Sequence, residues 1–200
     1  MSLLDQPAIA LLELGSVAVG VLAGDAMVKR APVAVAYAGT VHPGHYLVLV
    51  AGDVASVDEA YRAGLDAAGR ALLDEVFLPA VHRGVLGALL GRRGASAGEA
   101  LGLVETRTAA AIIGAADRGL KAAGVSLVEL RLGDRLGGKG YCAFSGPLAE
   151  VEVAVDEAAG FLVPPDALIA KVVIAQCHEE MLGNLEASPE FWTRIAQGEG

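Results

Sequence analysis

Aromatic side chains are scarce in this sequence: Phe, Tyr and Trp together make up 4% of its 200 residues. Few rings are therefore on hand to stack on nucleic-acid bases. Basic residues are outnumbered, 15 Lys and Arg against 24 Asp and Glu, and the net charge of −9 excludes non-specific attraction to DNA, RNA or anionic lipid. Cysteine occurs only at Cys142 and Cys177, with no CxxC spacing. That excludes a disulfide framework, and such isolated thiols fit a reducing cytosol. No apolar run reaches the roughly 18 residues of a membrane span. The first residues, MSLLDQPAIALLELG, carry no basic segment ahead of their apolar part, so no signal peptide is expected. Also missing are HExxH, a Ser-His-Asp set and a dinucleotide fingerprint, which leaves no catalytic constellation.

What the sequence does have is Ala, Val and Leu. Apolar residues reach 54% and the mean hydropathy is +0.51. Small aliphatic side chains predict closely packed helices and strands in a cytoplasmic α/β protein, with some apolar surface buried between subunits.

It also has an internal repeat, which governs every other reading. Ala8–Val33 matches Ala100–Val125 at a constant offset of 92, with identities that include Glu13/Glu105, Asp25/Asp117 and Lys29/Lys121. The offset grows to 94 after the first loop, placing Gly52 on Gly146, and to 96 at His82 and His178. Insertions confined to loops are what a duplicated fold tolerates. The chain therefore divides into a first domain over 1–91, a Gly-rich linker over 92–98, a second domain over 99–186 and a tail over 187–200 that holds Phe191 and Trp192.

In each copy the pattern runs strand, helix, strand, strand, helix, strand, closing helix. In the first, strands are predicted at 8–14, 33–41, 46–51 and 72–78, with a helix capped by Ser16 and ended by Pro32, a second capped by Asp53 or Ser56, and a third over 82–90. In the second, strands are predicted at 100–106, 125–132, 141–145 and 168–174, with helices at 108–123, 147–159 and 178–186. This order is the split βαβ, ferredoxin-like arrangement, an α+β fold.

Gly133–Gly140, GDRLGGKG, holds the first seven positions of a phosphate-binding P-loop. Gly140 stands where Ser or Thr is needed, and a strand follows where a helix is required, so nucleotide binding is not expected. The matching turn in the first copy is VHPGHY, with Gly44 on Gly138 and His45 on Lys139. His42 and His45 are read as solvent-exposed turn residues, since two imidazoles alone do not complete a metal site. Glu13 and Glu105 have no His or nucleophile placed beside them by the repeat, and are expected to accept hydrogen bonds from local backbone or a neighbouring subunit. Lys29 and Lys121 end their helices, where a cation either complements the helix dipole or makes an edge contact. Cys142 and Cys177 read as packing residues, and His82 and His178 as structural starts of the closing helices.

The succession A-L-G-L-V-E-T, A-A-D-x-x-L-K-A-A-x-V, a Gly-rich loop, a strand ending in Gly and a V-x-x-A-V helix resembles the shell-forming domain of bacterial microcompartments, and covers residues 8–183 in two copies. The strand-first order resembles the non-permuted branch of the tandem-domain, trimer-forming class. The resemblance implies a structural subunit with no enzyme activity: a pseudohexameric homotrimer that tiles a shell facet beside hexameric and pentameric shell proteins. It implies a central pore for small metabolites, lined by His42, Pro43, Gly44 and His45 from one copy and Gly137, Gly138, Lys139 and Gly140 from the other. It places Lys29 and Lys121 at contacts between discs. Some relatives carry a Cys in the first loop that binds an iron–sulfur cluster on the axis; here His42 takes that place, and three copies of it could hold a divalent metal instead. The other readings are a metal- or redox-cofactor conduit in the same disc, and a tandem ferredoxin-like small-molecule sensor.

Overall fold

Ser16, Asp53 and Thr108 each stand one residue before a helix and turn an oxygen back onto it, accepting from the backbone N–H of Val19 at 3.4 Å, Ser56 at 3.0 Å and Ala111 at 3.2 Å. Each satisfies one of the amides that a helix start leaves without an intrahelical partner. The helices so begun belong to a computed structural model that describes residues 2–94 and 98–186.

In the first domain the elements are β1 (Ala8–Leu14), α1 (Val17–Arg30), β2 (Val35–Val41), β3 (His45–Gly52), α2 (Val54–Ala68), β4 (Leu72–Leu78) and α3 (Arg83–Leu89). In the second they are β5 (Ala100–Thr106), α4 (Ala109–Ala122), β6 (Ser126–Leu132), β7 (Gly140–Gly146), α5 (Leu148–Gly160), β8 (Leu168–Ala175) and α6 (Glu179–Glu186). Both sheets are antiparallel, in the orders β2-β3-β1-β4 and β6-β7-β5-β8. The expected ferredoxin-like arrangement is present twice. Boundaries differ by one or two residues: β2 starts at Val35 because Ala31–Ala34 turns first, and α3 and α6 start after His82 and His178. Those histidines act as caps, each accepting a backbone N–H at its Nδ1, from Gly84 at 3.1 Å and Glu180 at 3.3 Å.

The central strand β1 is buried along its whole length because both its faces are covered. Strand alternation sends Ala8, Ala10, Leu12 and Leu14 toward α1 and α2, where they meet Ala23, Met27, Val57 and Ala60. Ile9 and Leu11 point the other way, toward α3 and Leu3. One difference between the copies shows how tightly these layers pack. A Cβ on Gly20 of α1 would lie 2.3 Å from the Tyr46 ring, and one on Gly140 would lie 2.3 Å from Ile112 of α4. Position for position the two copies exchange the small and the large partner, so each joint is filled by one bulky side chain.

One buried cluster runs through both domains. Val85 and Leu86 of α3 join Ile112, Ile113 and Leu120 of α4 and Leu127 of β6 in a single buried cluster. Polar contacts fix this joint: Asp117 Oδ1 accepts the backbone N–H of His82 at 2.7 Å, and Thr108 bonds to Asp74 through its hydroxyl.

Candidate functional site: a pair of facing loops

The loops after β2 and after β6 lie side by side. The first is short, with Gly44 at φ +118° donating its N–H to Val41 at 2.9 Å. The second is longer and turns through Gly133, Gly137 and Gly138, all at positive φ, a conformation glycine adopts without a Cβ penalty. A Cβ on Gly138 would sit 3.0 Å from Pro43 and 3.2 Å from the His45 ring, and one on Gly133 would sit 3.0 Å from Val41. The sequence-expected pore residues of the two copies are thus neighbours within one chain, with one distinction. Gly140 is the buried first residue of β7, packed under Ile112, and not part of the loop. The P-loop-like string also leads into β7 and not into a helix.

A carboxylate stands behind each loop. His45 Nδ1 lies 2.7 Å from Glu13 Oε1, and Lys139 Nζ lies 2.6 Å from Glu105 Oε1. This corrects two readings: a histidine does stand beside Glu13, and His45 is a largely covered partner instead of an exposed turn residue. The contact follows from register. Glu13 is directly opposite Leu47 and Glu105 opposite Tyr141, so His45 and Lys139 are the diagonal neighbours two residues along.

Glu13 does more than hold His45. Its other oxygen accepts the backbone N–H groups of Ala109 at 2.7 Å and Ala110 at 3.2 Å, at the start of α4 in the second domain. A carboxylate complements the positive end of that helix. Glu13 has no exposed side-chain surface, and burial raises its pKa above the ordinary carboxylate range, outweighing the lowering by His45 and by the two amides. Glu105 differs: its side chain is 32% exposed, and among the described residues its hydrogen-bond partner is Lys139 and not a helix start.

Alongside Pro43 and Gly44, His42 is exposed. Its Nδ1 lies 3.5 Å from Asp134 Oδ1, and its backbone N–H donates to the same oxygen at 3.4 Å. Among the described residues, His, Cys, Asp and Glu side chains nowhere gather three or more in metal-binding proximity. Cys142 is fully buried, which pushes its thiol pKa up, and Cys177 is partly buried. Lys121 bonds to Asp117, and Lys29 repeats this with Asp25 at 2.6 Å on a more exposed face. No helix among the described residues is long and apolar enough to cross a membrane.

The matching surfaces of the two domains are unequally covered. Along α4, Ala109, Ile113 and Leu120 are buried by the first domain; their counterparts Val17, Val21 and Val28 on α1 are exposed. The edge strand β6 packs on α3, whereas Tyr37 on the edge strand β2 is exposed. Beneath α6 lies an open cavity of about 870 Å³, walled by Leu101, Leu103, Tyr141, Ile174 and Met181.

A profile of the BMC domain matches residues 8–81 and again 100–177. The chain belongs to the BMC-domain family. It is 40% identical over 174 residues to the bacterial microcompartment shell protein PduT of Citrobacter freundii, covering 87% of this chain and 95% of that one. Its fold superposes with a TM-score of 0.77 on the crystal structure of a microcompartment protein from Desulfitobacterium hafniense, 39% identical, covering 88% of this chain and 98% of the other. A fused permuted hexameric shell protein of the RMM microcompartment gives a TM-score of 0.55 at 24% identity over 78% of this chain and 82% of its own, a likeness of fold alone. This BMC-domain chain is a structural component of a microcompartment shell in the bacterial cytoplasm, where members of the family assemble with other shell proteins; it is not an enzyme.

Proposed function

We propose that three copies of this chain close a pseudohexagonal disc within a shell facet, with the loops of residues 42–45 and 137–139 around a central pore that passes small metabolites. One observation carries this reading: the faces that join the two domains inside the chain recur, uncovered, at its two ends. The exposed α1 and β2 surface is the counterpart of the buried α4 and β6 surface, and α6 and β8 are the counterparts of α3 and β4 that cover it. A joint that repeats head to tail generates a ring when the rotation closes. Six domains complete such a ring, and three chains supply them. The lateral contacts of the disc would include Lys29 and Lys121, whose ammonium groups stand at the ends of α1 and α4.

Backbone amides of the glycine loops and the Lys139 ammonium would favour anionic metabolites in the pore. Native mass spectrometry tests the assembly: a mass of three chains is expected, and a monomer or dimer at micromolar concentration overturns it. A second reading, a divalent cation on the axis, is favoured by the exposed His42 imidazole beside the Asp134 carboxylate. Each chain offers too few donors, so the set would have to come from three copies. Metal analysis of the wild type and of His42→Ala decides between them, since one ion per three chains that His42→Ala abolishes is required.

A further inference from the structure

Within the chain, several carboxylates reach across the joint between the domains, and two of them hold helix starts. Glu13, at the end of β1, takes the first amides of α4. Asp117, on α4, takes the backbone N–H of His82 at the start of α3. The residues with the same places in the other copies are all present. Glu105 ends β5 as Glu13 ends β1, α1 begins after Ser16 as α4 begins after Thr108, Asp25 and Lys29 repeat Asp117 and Lys121, and His178 caps α6 as His82 caps α3.

Their states differ in one respect. The intrachain set is closed, with Glu13 and the Ala109 and Ala110 side chains buried. The outer set is open: Glu105 is partly exposed beside Lys139, Val17 at the α1 start is 43% exposed, and the Asp25 side chain is 49% exposed.

Deepening the threefold reading and resting on it, we infer that the partner of this open set is a second copy of the chain. The Glu105 carboxylate of one copy accepts the amides at the α1 start, Val17 and Ala18, of the next. Asp25 of that next copy accepts the backbone N–H of His178 of the first. The lengths and burial seen inside the chain are the template for this interchain clasp, in which each copy contributes one carboxylate and one helix start. The same joint buries the apolar stripe of Val17, Val21 and Val28 as the intrachain joint buries Ala109, Ile113 and Leu120. The β2 edge with Tyr37 comes to lie against α6 and the cavity beneath it.

The test is dissociation of the full-length protein across a dilution series, followed by native mass spectrometry and sedimentation, for wild type, Glu105→Ala and Asp25→Ala. A hydrogen bond to a charged group contributes enough that each variant is expected to raise the concentration at which the trimer dissociates by about tenfold or more. Asp25 lies on an exposed helix face and its replacement leaves the fold of the chain intact, so the test survives a poorly folding Glu105 variant. A wild type that is not trimeric overturns the threefold reading itself. A trimeric wild type whose two variants dissociate at the wild-type concentration overturns the clasp and leaves the threefold reading standing.

Discussion

His45 Nδ1 lies 2.7 Å from Glu13 Oε1, in the place where the second domain sets Lys139 Nζ 2.6 Å from Glu105 Oε1. The two domains thus keep one geometry, a strand carboxylate holding a nitrogen of the loop, while changing the side chain that carries it. The loops are anchored from behind, and the anchors differ.

Replacing Glu13 by Ala is expected to lower the stability of the chain by about 2–4 kcal/mol, because the Ala109 and Ala110 amides lose their acceptor in a buried joint. Chemical denaturation monitored by circular dichroism measures this. A loss below about 0.5 kcal/mol, the scale of an ordinary surface substitution, would show that the carboxylate is not what seats α4.

Glu13→Gln adds a pH test. Burial raises the Glu13 pKa, so the folded state favours the protonated form. The stability from this group is then complete below the unfolded value, about 4.3, and falls away as pH rises through the folded value. The deficit of Glu13→Gln relative to wild type should be largest near pH 4 and narrow toward pH 7. A deficit that widens with pH would mean that the His45 and amide bonds outweigh burial.

The exchange of Gly20 and Tyr46 for Ile112 and Gly140 calls for a double-mutant cycle. Gly20→Ala drives a methyl into the Tyr46 ring and should cost about 1–3 kcal/mol. In the background of Tyr46→Gly, the same change should cost little or become favourable, giving a coupling of at least about 1 kcal/mol. Additive effects in thermal unfolding would remove the packing explanation.

Cys142 should resist alkylation in the folded protein, since it is fully buried and burial pushes its thiol pKa up. Cys177 is partly buried and should react first. Mass spectrometry after timed iodoacetamide treatment, with and without denaturant, separates the two. Equal rates in the native protein would contradict the burial.

Lys139→Glu replaces the loop cation by a second carboxylate beside Glu105. Under the pore reading, the conductance of reconstituted discs should shift from preferring anions to preferring cations. An unchanged preference would place the Lys139 side chain away from the permeation path.

Much of this molecule could be read before folding it. The offset of 92 between Ala8–Val33 and Ala100–Val125 disclosed the two domains, and Ser16, Asp53, Pro32 and Pro79 punctuated their elements correctly. The partners of Glu13 could not be read the same way. A repeat identifies equivalent residues, such as Glu13 with Glu105, whereas a joint between copies binds a residue of one to an inequivalent residue of the other, here the first turn of α4. His45 was harder to place from the sequence. The short turn before it fixes how β3 pairs with β2, whereas its position diagonally across from Glu13 depends on the separate pairing of β3 with β1. The tail with Phe191 and Trp192 and part of the 92–98 linker lie outside the described residues.

The unequal loops have a wider consequence. A ring of six identical single-domain chains must repeat every substitution six times, so it can neither confine a histidine to alternate positions nor lengthen every second loop. Joining two domains in one chain lifts that restriction. Under the threefold reading, one half of the chain can change while the other holds the tiling geometry, so a bulky group would enter the centre three times and not six. The short His42-Pro43-Gly44-His45 turn beside the glycine-rich 133–139 loop is what such freedom leaves behind.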